Sequence, residues 1–279
     1  MNSTSRKEDS DVNPDETKGG PSFREITHRF TLPIDLLNNL APKHRIYGLV
    51  EIDVTEARTF ISENEEKTGE KLSFTAWVIK CIGQAVSEYR EIQALRKGKT
   101  KLVIFDDVDV GMIVEKQTKS GKIPTQYCVR KANEKSFRQI HDEIRQAQKA
   151  DSGERIVAGK RKSASDSALR RLPGPFRRLF WRKFRSDPFL RKQMMGTVGV
   201  TAVGMFGKGG GWAIPVGLHP VVFALGGISN KLRDPSNPTN IGEFLNLTVM
   251  FDEEVTFGAP ATRFLAKLSD LMQSGFGLE

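Results

Sequence analysis

Residues 245–272 read LNLTVMFDEEVTFGAPATRFLAKLSDLM. Leu245, Leu247, Val249 and Phe251 recur at every second position, the period of a strand with one buried face. Ala259 and Pro260 follow, and proline suits the first turn of a helix. Phe264, Leu265, Leu268, Leu271 and Met272 then supply the three-four stripe of a helix packed on a core. A core strand thus feeds a core helix through the acidic turn Asp252-Glu253-Glu254.

Working outward, residues 46–54 read as a strand and residues 55–67 as a polar, solvent-facing helix. Ser73 is a plausible N-cap for a helix whose stripe is Phe74, Trp77, Val78, Cys81, Ile82, Ala85 and Val86. Residues 102–105 and 108–114 alternate as paired strands do, and residues 123–129 form a further strand. Ser136 opens a helix with Phe137, Ile140 and Ile144 on one face. Strands and helices mix throughout without an internal repeat, so the expected class is α/β or α+β with a sizeable sheet.

The 279 residues carry a formal net charge of +9, with 38% hydrophobic and 28% charged residues, which fits a globular protein with some disordered sequence. Residues 1–22 hold little apolar sequence and are expected to be a disordered tail, leaving one domain over residues 23–279. Cys81 and Cys128 show no metal spacing and no disulfide framework, so no metal is expected and a cytoplasmic setting is. No apolar run is long enough to span a bilayer. The excess positive charge permits anionic partners: nucleic acid, lipid head groups or a phosphate-bearing cofactor.

That charge concentrates in residues 151–192, which include RRLPGPFRRLFWRKFRSDPFLRK. Phe176, Leu179, Phe180, Trp181 and Phe184 fit one helical face, with Arg177, Arg178, Arg182, Lys183 and Arg185 around the rest. Such a helix can lie on an anionic membrane surface, or pack its aromatics on the domain and leave the arginines solvated, or bring them to a cofactor's phosphates. No recognition motif accompanies these residues, so nucleic acid is not an expected partner.

Taken in order, GLVEIDVTEA (48–57), KLSFTAWVIKCIGQAVSEY (71–89), LVIFDDVDVGMIVEK (102–116), QIHDEIRQAQ (139–148), GTVGVTAVGMFG (196–207), HPVVFALGGI (219–228) and the closing strand and helix make a recognisable series. The series resembles the catalytic domain of the dihydrolipoyl acyltransferases of 2-oxoacid dehydrogenase complexes and, more remotely, chloramphenicol acetyltransferase. The resemblance spans residues 47–272, with 151–192 as a basic insertion. It implies a two-layer mixed sheet with helices on one side, a homotrimer with active sites between subunits, and acyl transfer between coenzyme A and a thiol or other acceptor. This chain is then a divergent, stand-alone member.

Acyl transfer between thiols needs a base to make the thiolate, a donor for the oxyanion and a site that aligns both partners. In the family the base is the histidine of His-x-x-x-Asp-Gly. Here Asp252 and Gly258 match the flanks of that motif, but Glu253 stands at the histidine position and Phe257 at the aspartate position. An ordinary glutamate titrates about four units below a thiol, against about two for histidine, a difference of roughly 3 kcal/mol in uphill proton transfer. Burial can close that gap, while a nearby helix N-terminus widens it. Glu253 is therefore either a catalytic carboxylate or an inert one. Thr201 falls at the family's oxyanion-donor position, though threonine is also an ordinary strand residue. Of His28, His44, His141 and His219, only His219 falls near the family's channel, as a replacement base or a structural imidazole. Lys208-Gly209-Gly210-Gly211 lacks the ending of a phosphate loop. No residue is assigned to hold coenzyme A. The alternative is a non-catalytic trimeric binding or assembly protein on the same fold.

Overall fold

A computed structural model describes residues 44–98, 100–118, 121–149, 156–157, 160–161, 174–204 and 210–278. The expected tail at 1–22, the domain start at 23, His28, Lys208, Gly209 and most of 151–173 lie outside the described residues.

The main sheet has six strands: β1 (Arg45–Asp53), β4 (Val110–Thr118), β5 (Gly121–Val129), β8 (Val198–Ala202), β9 (Val221–Leu232) and β10 (Ile241–Asp252). Two-residue strands β6 (Ile156–Val157) and β7 (Lys160–Arg161) pair apart from it. The order is β1-β10-β9-β8-β4-β5, antiparallel at β1/β10, β10/β9 and β4/β5, and parallel at β9/β8 and β8/β4. Helices α1 (Thr55–Thr68), α2 (Phe74–Glu88), α3 (Phe137–Lys149) and α6 (Gly258–Gln273) supply the helical layer. Ile52, Val200, Phe223, Leu247 and Phe251 from the strands join Trp77, Ile140 and Phe264 from the helices in one buried core. The expected two-layer mixed α/β architecture is what forms.

Local chemistry explains several boundaries. Ser73 caps α2 by accepting from the backbone N–H of Ala76 at 3.3 Å. Gly69 ends α1 with a φ of 73°, the left-handed conformation glycine adopts without strain. Pro260 sits in the first turn of α6, where a missing N–H costs nothing. One sequence expectation is corrected. Residues 102–105 do not pair with 108–114; instead β3 (Lys101–Val103) folds back on β2 (Leu95–Lys97) as a side hairpin. The reason is Asp109, which is only 3% exposed. Its buried carboxylate must be matched, and it turns the chain into the main sheet by binding Arg130 at 2.9 Å, Lys192 at 2.7 Å and the Lys131 N–H at 2.9 Å.

The basic segment divides into α4 (Gly174–Ser186) and α5 (Pro188–Met195). Trp181 and Phe184 bury against Met195, with Phe180 and Leu190 half-buried around them. Phe176 and Leu179 do not join them: they are 61% and 63% exposed. The expected single aromatic face is therefore split. Residues at 181 and 184 share one side of a helix, while 176, 179 and 183 fall on the other.

β8 has five residues, whereas its neighbours β4 and β9 have nine and twelve. β8 pairs with β4 as far as Met112–Val200 and with β9 as far as Ala202–Leu225, and beyond those pairs β4 and β9 continue with no strand between them among the described residues. Among the described residues the sheet is therefore open at that end, and the opening borders a cleft.

Candidate functional site

The acidic turn at the end of β10 is held by its backbone. The Asp252 N–H donates to Pro220 O at 2.7 Å, and the Val255 and Thr256 N–H groups both donate to Asp252 O at 2.9 Å. One Asp252 carboxylate oxygen accepts from the Glu254 N–H at 3.0 Å. Burial pushes the Asp252 carboxyl upward, and Arg191, Arg96, His44 and Arg45 pull against it. Glu254 pairs with Arg96. Glu253 donates its N–H to His44 O at 3.1 Å, but its side chain is exposed and has no partner among the described residues. Phe257 stands at the N-cap of α6, 68% exposed and offering no side-chain cap. With Tyr89, Ile92, Val255, Pro260 and Arg263 it lines a recess of about 290 Å³.

Thr201 lies elsewhere. It pairs with Ala224 on β9, and Ala224 pairs with Thr248 on β10. Glu253 follows Thr248 by five positions. Strand spacing and rise put the two side chains about 10 Å apart across the sheet and about 17 Å apart along it. Within one subunit they do not meet. Thr201 is half-buried and its hydroxyl has no partner among the described residues. It lines the cleft in the open end of the sheet, of about 710 Å³, together with Met112, Val114, Ala202, Leu225 and Leu245 from the strands. Arg58, Ile61, Ile144 and Arg145 line it from the helices, and Lys71 and Ser73 from the connection before α2.

His219 joins neither group. It is wedged over two glycines: a Cβ on Gly111 would lie 3.0 Å from its Nε2, and one on Gly199 would lie 2.7 Å from its Nδ1. Nε2 sits 3.0 Å from Met195 O, which assigns the proton to that nitrogen. Burial, reinforced by Arg191, holds the imidazole down to about 4 against its ordinary 6.5, although the Met195 bond acts the other way. The neutral ring is thus part of the folded structure. Because the folded value is depressed, its stabilisation is present above about 6.5 and is lost as pH falls towards about 4. His219→Gln is expected to flatten the acid limb of a urea-denaturation stability profile by roughly 3 kcal/mol at most. An unchanged limb contradicts this placement.

Glu70, His141 and Asp142 bring ligand-type atoms within 4.8 Å of one another. Their donors are already engaged: His141 Nδ1 accepts from the Ser73 N–H at 2.9 Å, Nε2 faces Glu70 at 3.3 Å, and Arg138 also binds Glu70. Burial pushes both thiols up, Cys128 to about 12, so neither is a poised nucleophile.

A family model described as 2-oxoacid dehydrogenases acyltransferase (catalytic domain) matches residues 38–158. None of the curated proteins matches the chain in sequence. Among solved structures, a probable dihydrolipoamide acetyltransferase from Listeria monocytogenes is similar with a TM-score of 0.63 at 16% identity, covering 93% of this chain and 97% of that one. The chain has the fold of the 2-oxoacid dehydrogenase acyltransferase catalytic domain. The Azotobacter vinelandii dihydrolipoamide acetyltransferase, whose study concerned a serine, a histidine and an asparagine in its catalytic mechanism, gives a TM-score of 0.63 at 18% identity, covering 94% and 96%. A truncated catalytic core of the 2-oxoacid dehydrogenase multienzyme complex from Thermoplasma acidophilum gives 0.61 at 16% identity, covering 90% and 99%. The sequence match ends before β8, so Thr201 and Glu253 lie on the acyltransferase fold but beyond the residues matched to the family model.

Proposed function

We propose that this protein is a homotrimeric, cytoplasmic acyltransferase that moves an acyl group between coenzyme A and a thiol or similar acceptor, with each site shared between two subunits. The observation that carries this reading is the position of Thr201, a hydroxyl without a partner among the described residues on the wall of a cleft of about 710 Å³ in an acyltransferase fold. The cleft suits a thioester of coenzyme A. Its wall is largely apolar, and Arg58, Lys71 and Arg145 bring positive charge to it for phosphates. Arg145 bonds Gln148 and Lys71 O, and it pairs with no carboxylate among the described residues.

Glu253 of the neighbouring subunit takes the proton from the acceptor thiol. The thiolate attacks the thioester carbonyl, forming one carbon–sulfur bond. The resulting oxyanion receives a hydrogen bond from the Thr201 hydroxyl. Collapse breaks the bond to coenzyme A, whose thiolate takes the proton back from Glu253. Single variants test the assignment. Glu253→Ala is expected to lower transfer by roughly 10²–10⁴-fold, and Thr201→Val by roughly 10²–10³-fold. Wild-type rates in both variants overturn it. The exposed, unpartnered Glu253 also suits a non-catalytic trimer that binds a thioester, which predicts binding of acyl-coenzyme A without turnover.

The outward side of α4 supports a peripheral contact with anionic membrane. Exposed Arg182 and Lys183 lie beside Phe176 and Leu179, and the helix sequence contains no acidic residue. Among the described residues no helix is long and apolar enough to cross a membrane. Each cation near an anionic surface contributes about 1 kcal/mol. Lys183→Glu with Leu179→Glu is therefore expected to weaken sedimentation with phosphatidylglycerol vesicles by more than about tenfold. Equal recovery with phosphatidylcholine vesicles contradicts the contact.

A further inference from the structure

We propose that the cleft beside Thr201 is an acyl-chain site built for an apolar chain several carbons longer than acetyl. This deepens the acyl-transfer reading and rests on it. Among the described residues β8 pairs no further than Ala202 while β4 and β9 run on, and residues of α1, α2 and α3 contribute to the lining of the cleft there. Ile61, Met112, Val114, Ile144, Leu225 and Leu245 supply its apolar wall. All six belong to the buried core and are at most 9% exposed, so they form the floor of the cleft, and Phe74, Val203 and Ile228 add apolar lining nearer the surface. Strand residues from the sheet and helix residues from α1 and α3 hold this wall rigidly, which makes the site largely preformed.

Size points the same way as lining. About 710 Å³ falls within the range of sites that enclose drug-sized ligands. An acetyl group placed with its carbonyl at the Thr201 hydroxyl would leave most of the space to water against an apolar wall, an unfavourable arrangement. A hydrocarbon chain running inward from the carbonyl displaces that water and needs no hydrogen-bonding partner. Among the described residues, Ser73, Thr75 and Gln148 are the uncharged polar side chains that line the cleft beside Thr201, and Ser73 is already engaged as a helix cap. Arg58, Lys71, Arg145 and Glu115 are the charged residues of the lining among the described residues. The chemistry that fits is a thioester with a saturated or branched apolar acyl group.

The test is equilibrium binding by titration calorimetry of acetyl-, butyryl-, hexanoyl-, octanoyl- and decanoyl-coenzyme A to the full chain. Ala202→Val and Ala202→Phe narrow the cleft at its strand wall, and circular-dichroism melting confirms that each folds. Affinity is expected to rise up to about fourfold per added methylene in the wild type, to rise less in Ala202→Val, and to be flat in Ala202→Phe. Affinity that does not rise with chain length overturns the proposal, as does a rise that survives Ala202→Phe unchanged. Turnover is followed in parallel. Length-dependent binding without turnover sustains the acyl-chain site and removes the transfer reading. Acetyl transfer without any length dependence does the reverse.

Discussion

Co-expressing Glu253→Ala with Thr201→Val is expected to restore acyl transfer that neither variant supports alone. The ladder registers separate Thr201 from Glu253 by two strands and five residues, a distance no rotamer can bridge. If each trimer interface joins Thr201 of one subunit to Glu253 of the next, about one quarter of the interfaces in randomly mixed trimers regain both wild-type side chains, as a head-to-tail contact requires. Recovery of roughly that share of activity is the predicted result. Against single-variant losses of roughly 10²-fold or more it is readily measured. Mixed trimers as inactive as their parents place the two residues in separate sites.

The second large effect concerns stability. Asp109→Ala is expected to cost roughly 3 kcal/mol in urea unfolding, because it removes the buried acceptor shared by Arg130, Lys192 and the Lys131 N–H and leaves Arg130 to the Lys192 and Gln193 carbonyls and Lys192 to Asp107. Asp109 ties β4, β5 and α5 together through its carboxylate, and its carbonyl accepts the Thr197 and Val198 N–H groups at the start of β8. Desolvation pushes this carboxyl up, but Lys192, the Lys131 N–H and Arg130 outweigh it and hold it below its ordinary value. The stabilisation is therefore present above the ordinary carboxylate range and is lost as pH falls through the depressed value. Replacing all three side chains by apolar ones of similar volume is expected to cost much less than Asp109→Ala alone, since no buried charge is then left unpaired. Equal losses in the two variants contradict this account of the network.

The strand at 245–251 and the helix beyond Pro260 were legible from their periods and both form, but the strand is buried on both faces, with Asn246, Thr248 and Met250 inside as well, and it carries an irregularity between Leu245 and Leu247. Ser73 and Ser136 were legible as caps because capping is local: Ser136 Oγ accepts from the Gln139 N–H at 3.2 Å. Thr201 and Glu253 could be placed by their flanking motifs. What surrounds them could not. The Asp109 network joins residues separated by 21 and 83 positions, and no local pattern announces such a pairing. The split face of α4 was hidden because aromatic residues sit on both of its sides, so spacing alone did not say which would bury. Among the described residues the cleft borders a difference in strand length across three strands, which becomes visible only when they are aligned. The setting of His219, over the glycines at 111 and 199 with Nε2 on the Met195 carbonyl, joins residues far apart in the chain and was equally hidden.

The central claim is acyl transfer, and free-thiol release from octanoyl-coenzyme A in the presence and absence of a dithiol acceptor tests it most directly. The account predicts acceptor-dependent release by the wild-type protein, lost in Glu253→Ala. Coenzyme A thioester bound by the folded protein with no acceptor-dependent release would contradict it and leave a binding protein on an acyltransferase fold.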